Sequence, residues 1–155
     1  MATGFGKQLS NGGSMRHYRP GLGHVGSYQV SAMPYITGSA DMGSAGEEHR
    51  IQFGSVAKSV TVINRSSGTG ASLHGMEADI RVHYNATGSG FVVDGLHYVG
   101  LEGNGDSVTL NMKCKEIYVS SNVANAAYTV IAELTNIPSS EMHDLTGSGL
   151  TTYND

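Results

Sequence analysis

The sequence predicts an all-β fold: a single β-sandwich or jelly-roll-like domain preceded by an extended, glycine-rich N-terminal arm. Apolar and polar residues alternate with a period of two from residue 28 onward, which is the pattern of half-buried strands. Clusters of Gly, Asn and Ser separate these runs, as hairpin connections require. No window of the chain has convincing helical spacing. Roughly eight strands at this spacing are typical of a sandwich or jelly roll.

The predicted arm covers residues 1–27. It contains seven glycines, and its apolar residues have no period, so burial within the arm does not offset the entropy of ordering it. Residues 21–26, GLGHVG, match the dinucleotide-binding pattern G-x-G-x-x-G. We expect no dinucleotide there, because neither a buried strand before the pattern nor a helix after it is predicted. The glycines instead indicate a close-fitting backbone, ordered by a partner or by the flank of the domain itself.

The predicted body covers residues 28–138, and its first runs are short. SYQVSAMPYITGS predicts the first strand, which Pro34 makes irregular. HRIQFGS predicts a second strand with Ile51 and Phe53 on one face, and AKSVTVINRS predicts a separate third strand with Val60 and Val62 on one face.

The run ADIRVHYN, residues 78–85, has the clearest alternation. One face is apolar and the other polar; the apolar set is Ile80, Val82 and Tyr84, and the polar set is Asp79, Arg81 and His83. We expect the polar set to be solvated. Asp79 and His83 would share that face and could ligate a metal only with help from another strand, so the sequence predicts no metal site.

The later runs complete the predicted sheet. GFVVDGLHYVGLEG predicts one or two strands bent at Gly95. In DSVTLNMKCKEIYVSS the apolar residues change from even to odd positions across Cys114, which indicates a bulge or a break between two strands. AYTVIAELTNI predicts the last strand. Residues 139–155 form a flexible tail with at most one helical turn, capped by Ser140.

Charge and cysteine content exclude several classes of protein. The net charge of −4 argues against a nucleic-acid partner, and no apolar run is long enough for a membrane span. The first 40 residues carry +3, and the rest carry −7 from six basic and thirteen acidic residues. Cys114 is the only cysteine, so no internal disulfide forms. Its lysine neighbours could lower the thiol pKa, but we expect a small buried apolar side chain.

No catalytic arrangement emerges from the residues. No G-x-S-x-G elbow is present, and no carboxylate pair is spaced for hydrolysis, so we expect neither an enzyme nor a cofactor. A glycan-binding sandwich module is an alternative, because tyrosines are plentiful and residues 103–106, GNGD, carry oxygens suited to Ca²⁺. We expect instead that most tyrosines lie at the edge of the core and that GNGD is a turn.

The order of these segments carries a family resemblance. A glycine-rich arm and SYQVSAMPYITGS lead into IQFGSVAKSVTVIN; GLHYVGLEGNGDSVTLNMKCKEIYVSS, YTVIAELTNIP and a short LTGSGLT tail follow. In this order the chain resembles small structural proteins of tailed-bacteriophage virions, in particular head decoration or cement proteins. Tail-tube and head-tail connector proteins share this size, β content and low charge, and remain an alternative.

The resemblance implies a non-enzymatic protein of the virion, assembled in the host cytoplasm. Its body would bind the major capsid protein or other virion proteins and copies of itself, as a homo-oligomer for which a trimer is one candidate. Its arm would order on a neighbouring subunit, with Arg16 and Arg19 meeting acidic residues. The expected arm contacts are Phe5, Leu9, Met15, Arg16, Tyr18, Arg19, Leu22 and Val25.

Overall fold

A computed structural model describes residues 21–23, 25–29, 33–67, 79–89 and 92–144. This part of the chain is mostly β, with seven antiparallel strands hydrogen-bonded into one sheet in the order β1-β7-β2-β6-β3-β4, and β5 beside β2. The all-β prediction is confirmed at this level, and the two-sheet sandwich stays a prediction. The strands are β1 Met33–Ser39, β2 Glu48–Asn64, β3 Ile80–His83, β4 Val99–Leu101, β5 Ser107–Leu110, β6 Cys114–Ser121 and β7 Tyr128–Pro138.

The 17-residue strand β2 organises the sheet. It replaces the two separate strands predicted for HRIQFGS and AKSVTVINRS. Its first half pairs with β6, and its second half lies between β7 and β5. Register irregularities between Gln52 and Ser59 move the buried side chains from odd to even positions. In the sequence, the change of the apolar face looks like a boundary between two strands. In the structure it is a bulge within one strand.

The predicted break near Cys114 is confirmed. Strands β5 and β6 follow one another along the same edge of β2, and residues 111–113 separate them. The interruption lies opposite the irregular part of β2, so both strands change face at the same place. Cys114 begins β6 and lies in the core, beside Ala57 of β2.

The core lies on the inner face of the sheet, where β2, β6 and β7 contribute most of the buried apolar side chains. In β3, Ile80 and Val82 are buried as predicted. The expectation of a solvated opposite face is wrong, because Asp79 and His83 are buried as well. His83 is covered because its ring stacks on Tyr118 and contacts Ser120, both of β6, while the Glu48 carboxylate at the start of β2 lies beside it.

The ends of the body differ from the sequence prediction. Tyr28 belongs to a helical turn, Gly26–Gln29, and not to the first strand. Its hydroxyl donates to the carbonyl oxygen of Leu22 (3.0 Å) and its ring lies 4.7 Å from Lys113 Nζ, contacts that favour the turn. Ser140 lies within the 3₁₀ turn Ser139–Glu141 and does not cap it. No helix in the described ranges is long and apolar enough to cross a membrane.

Candidate functional site

His83 is the most constrained titratable side chain of the described residues. Its Nδ1 lies 2.6 Å from the carbonyl oxygen of Asn85, and its Nε2 lies 2.8 Å from Ser120 Oγ. A carbonyl can only accept, so Nδ1 carries the proton and Nε2 accepts the Ser120 hydroxyl proton. The ring also stacks on Tyr118, with 5.9 Å between centroids. Both nitrogens are therefore engaged, and neither is available to a metal ion.

Burial keeps this imidazole neutral. It lowers the pKa of His83, outweighing the Asn85 carbonyl and the Glu48 carboxylate, which both favour the charged form. Glu48 Oε2 lies 3.8 Å from His83 Nε2 and also accepts the backbone N–H of Thr87 at 2.8 Å. The network therefore joins the start of β2 to β3 and to the turn that follows β3.

Ser120 and His83 share the kind of hydrogen bond that joins a nucleophile to its general base, but the position of the pair gives it a structural role. Ser120 and His83 are both buried, so a substrate cannot reach the hydroxyl. No sequence spacing signals this pair, because the residues come from different strands 37 positions apart. Only the register of β3 against β6 brings them together.

Cys114 is likewise unavailable for chemistry. It is fully buried, and burial raises the pKa of its thiol to about 12. The neighbouring lysines do not activate it, since Lys115 Nζ pairs with the Asp144 carboxylate and Lys113 Nζ donates to the Leu22 carbonyl oxygen at 2.7 Å. The expectation of a small buried apolar side chain is confirmed.

One carboxylate oxygen of the GNGD segment is used within its own loop. Asp106 Oδ2 accepts the backbone N–H groups of Glu102 (3.1 Å) and Gly103 (3.0 Å), which closes the turn between β4 and β5. In the described part of the chain, no three His, Cys, Asp or Glu side chains converge on a metal position.

The described tyrosines do not form an exposed aromatic platform. Each is at least partly buried; they are Tyr28, Tyr35, Tyr84, Tyr98, Tyr118 and Tyr128. Three of them lie under cations: Lys113 Nζ is 4.7 Å from the Tyr28 centroid, Arg81 is 5.2 Å from the Tyr98 centroid, and Arg50 is 5.9 Å from the Tyr118 centroid. Their positions match the expectation of residues at the edge of the core.

The outer face of β1 and β7 exposes large apolar side chains beside an edge strand that carries no charge. Strand β1 ends the sheet, with β7 on one side and no further strand on the other among the described residues. Its sequence, MPYITGS, has no charge. Ile36, 68% exposed, pairs in register with Ile131, 38% exposed. An uncharged edge strand is open to pairing with another chain.

A shallow, mostly apolar depression of about 610 Å³ lies at the end of this strand. Gly38 contributes no side chain to the outer face there, and among the described lining residues Arg65 alone is charged; the others are Ile36, Thr37, Ser39, Ala40, Ala127, Tyr128 and Thr129. The surface formed by the outer side of β1, Ile131 and this depression is called the β1 surface below.

Two of the expected arm contacts lie in described residues. Leu22 is held to the body through its carbonyl oxygen, which accepts from Tyr28 and Lys113. Val25 is 67% exposed. The others lie outside the described residues: Phe5, Leu9, Met15, Arg16, Tyr18 and Arg19. Comparison of the chain with protein families, curated proteins and solved structures finds no match.

Proposed function

We propose that this chain is a non-enzymatic structural protein of a multi-subunit particle. The β1 surface carries the proposal, because an uncharged edge strand with an exposed isoleucine pair is built for contact with protein. The positions of the potentially reactive side chains support this proposal as well. His83, Ser120 and Cys114 are buried, so they stabilise the body.

The resemblance described above narrows the proposal to a capsid decoration or cement protein of a tailed-phage virion. Its partners would be the major capsid protein or other virion proteins, and copies of itself. Many weak contacts of this kind stabilise a shell through avidity. The body would have the sandwich or jelly-roll architecture that the strand spacing predicts, and a tail-tube or head-tail connector role would use the same surface.

The arm supplies the second contact in this proposal. Phe5, Leu9 and Tyr18 would anchor on a neighbouring subunit, and Arg16 and Arg19 would face acidic residues there. Such a segment pays its ordering entropy only on binding, which suits reversible attachment. The negative body of a neighbouring copy complements the +3 charge of the first 40 residues.

The test compares the native mass of the full chain with that of a variant lacking residues 1–20, by light scattering. This deletion keeps Leu22 and Tyr28, whose contacts with Lys113 belong to the body. We expect a defined oligomer that dissociates in the variant, while far-UV circular dichroism shows that the β-sheet body stays folded. A full chain that stays monomeric at high concentration, with or without residues 1–20, would count against an arm-based assembly role.

A further inference from the structure

We propose that β1 pairs antiparallel with β1 of a second copy about a two-fold axis at Ile36, which joins the two sheets into one. This inference rests on the proposed function and names one partner of the β1 surface. Strand β1 runs from Met33 to Ser39, so Ile36 is its central residue. An axis there places every residue of β1 opposite a residue of the second copy.

The outer face gains a continuous apolar row in this arrangement. Ile36 stands opposite Ile36 of the second copy, and each isoleucine already pairs with its own Ile131. Four isoleucines therefore form a cross-strand row over the junction. Such apolar cross-strand pairs stabilise a sheet. On the inner face, Tyr35 meets Thr37 of the second copy.

The two ends of the strand complement each other. The same register places Pro34 beside Gly38 of the second copy, where the outer face has no side chain. Gly38 lines the depression of the β1 surface, so the exposed ring of Pro34 covers it, and the two-fold axis repeats this contact. Pro34 donates no backbone N–H to the ladder, so the pairing is weaker at both ends of the strand than at Ile36.

The charge distribution favours β1 as the edge at which two copies meet. The chain carries −4 overall, which opposes self-association through most of its surface. β1 is uncharged; Glu133, which is in register with Pro34, pairs with Lys58 at 3.2 Å, and the charge at the rim of the depression, Arg65, is positive. Two copies therefore meet at this edge without like-charge repulsion.

Oxidative cross-linking of the full-length Ile36→Cys variant tests the axis directly. Residues opposite each other in an antiparallel pair have Cα atoms about 4.5–5.5 Å apart, a separation that a disulfide spans. The native thiol of Cys114 is buried and does not compete. The matched control is Leu96→Cys, since Leu96 is 73% exposed and lies away from β1. We expect a disulfide-linked dimer to form about tenfold faster with Ile36→Cys.

A mixture of Met33→Cys and Ser39→Cys tests the register. These positions face each other across the proposed axis, so the mixed dimer should exceed the twofold excess over each self-linked dimer that random pairing already gives. Equal rates for Ile36→Cys and Leu96→Cys, or a statistical mixture of dimers in the second experiment, would overturn the pairing. If the cross-linking contradicts the β1 pairing but the oligomer still dissociates when residues 1–20 are deleted, the proposed function is retained without the β1 pairing. If Ile36→Cys cross-links and the oligomer is unaffected by deletion of residues 1–20, the β1 pairing is retained and the proposed contact through the arm is contradicted.

Discussion

The Ser120 hydroxyl lies 2.8 Å from Nε2 of His83, and both side chains are buried between β6 and β3. The bond satisfies an imidazole nitrogen that has no access to water. The other nitrogen is satisfied by Asn85 at 2.6 Å. A buried polar group with a complete set of partners fixes the strands around it, whereas an unpaired one destabilises them.

Removing the hydroxyl should therefore lower stability. We expect Ser120→Ala to reduce the free energy of unfolding by about 1–3 kcal/mol, because Nε2 of His83 stays buried without a donor. Urea denaturation measures the change. Ser121→Ala is the matched control, since Ser121 is equally buried but, within the described residues, its hydroxyl donates at the long distance of 3.5 Å to the carbonyl oxygen of Ser44. Equal losses in the two variants would contradict a special role for the His83 bond.

Stability should also fall on mild acidification. The pKa of His83 is lowered from 6.5 by burial, so the unfolded chain binds a proton more readily than the folded chain. The stability that the neutral His83 contributes is complete above about pH 6.5, and it is lost as the pH falls from there through the pKa of His83 in the folded chain. His83→Gln should remove that part of the pH dependence of unfolding. The exposed His97→Gln should retain it, and a wild-type slope in His83→Gln would contradict the assignment.

The sequence predicts strands well where burial alternates, as at Ile80 and Val82, because that pattern is local. It does not predict which strands become neighbours. The burial of His83 follows from the register of β3 against β6, which places Tyr118 and Ser120 beside it, and the pairing of Ile36 with Ile131 joins residues almost a hundred positions apart. Neither the buried network nor the β1 surface has a local signature, since each is made by the register of distant strands.

The close contact of β1 with β7 should make Gly38 intolerant of a side chain. A Cβ at this position clashes with the carbonyl oxygen of Tyr128 and lies 3.2 Å from Thr129 Cα, both backbone atoms that cannot move aside. We expect Gly38→Ala to cost about 1–3 kcal/mol in thermal or urea unfolding. Gly54→Ala is the control, because Gly54 is also in a strand and has open space around its Cβ position. A loss no greater than that of Gly54→Ala would show that β1 and β7 are not so closely packed.

Asp79 should destabilise the fold at neutral pH. Burial raises the pKa of its carboxyl, against the opposing effect of a hydrogen bond with Asn64, and its buried Oδ1 has no partner among the described residues. The folded chain therefore holds this proton more tightly, and the stability it contributes is lost as the pH rises through the folded pKa. We expect Asp79→Asn to stabilise the protein by about 1 kcal/mol at pH 7, with a smaller gain near pH 4. The exposed Asp94→Asn should change little at either pH.

Cys114 should react only when the chain unfolds. Its thiol is fully buried with a pKa of about 12, so at pH 8 the native protein presents neither access nor thiolate to a disulfide reagent. We expect the labelling rate to rise with urea in parallel with the unfolded fraction. An exposed cysteine introduced at Leu96 supplies the control and should react at once in the native protein. Immediate labelling of wild-type protein without denaturant would show that the break between β5 and β6 opens in the native state. Labelling confined to the unfolded chain would mean that β6 is held closed against β2 at this point.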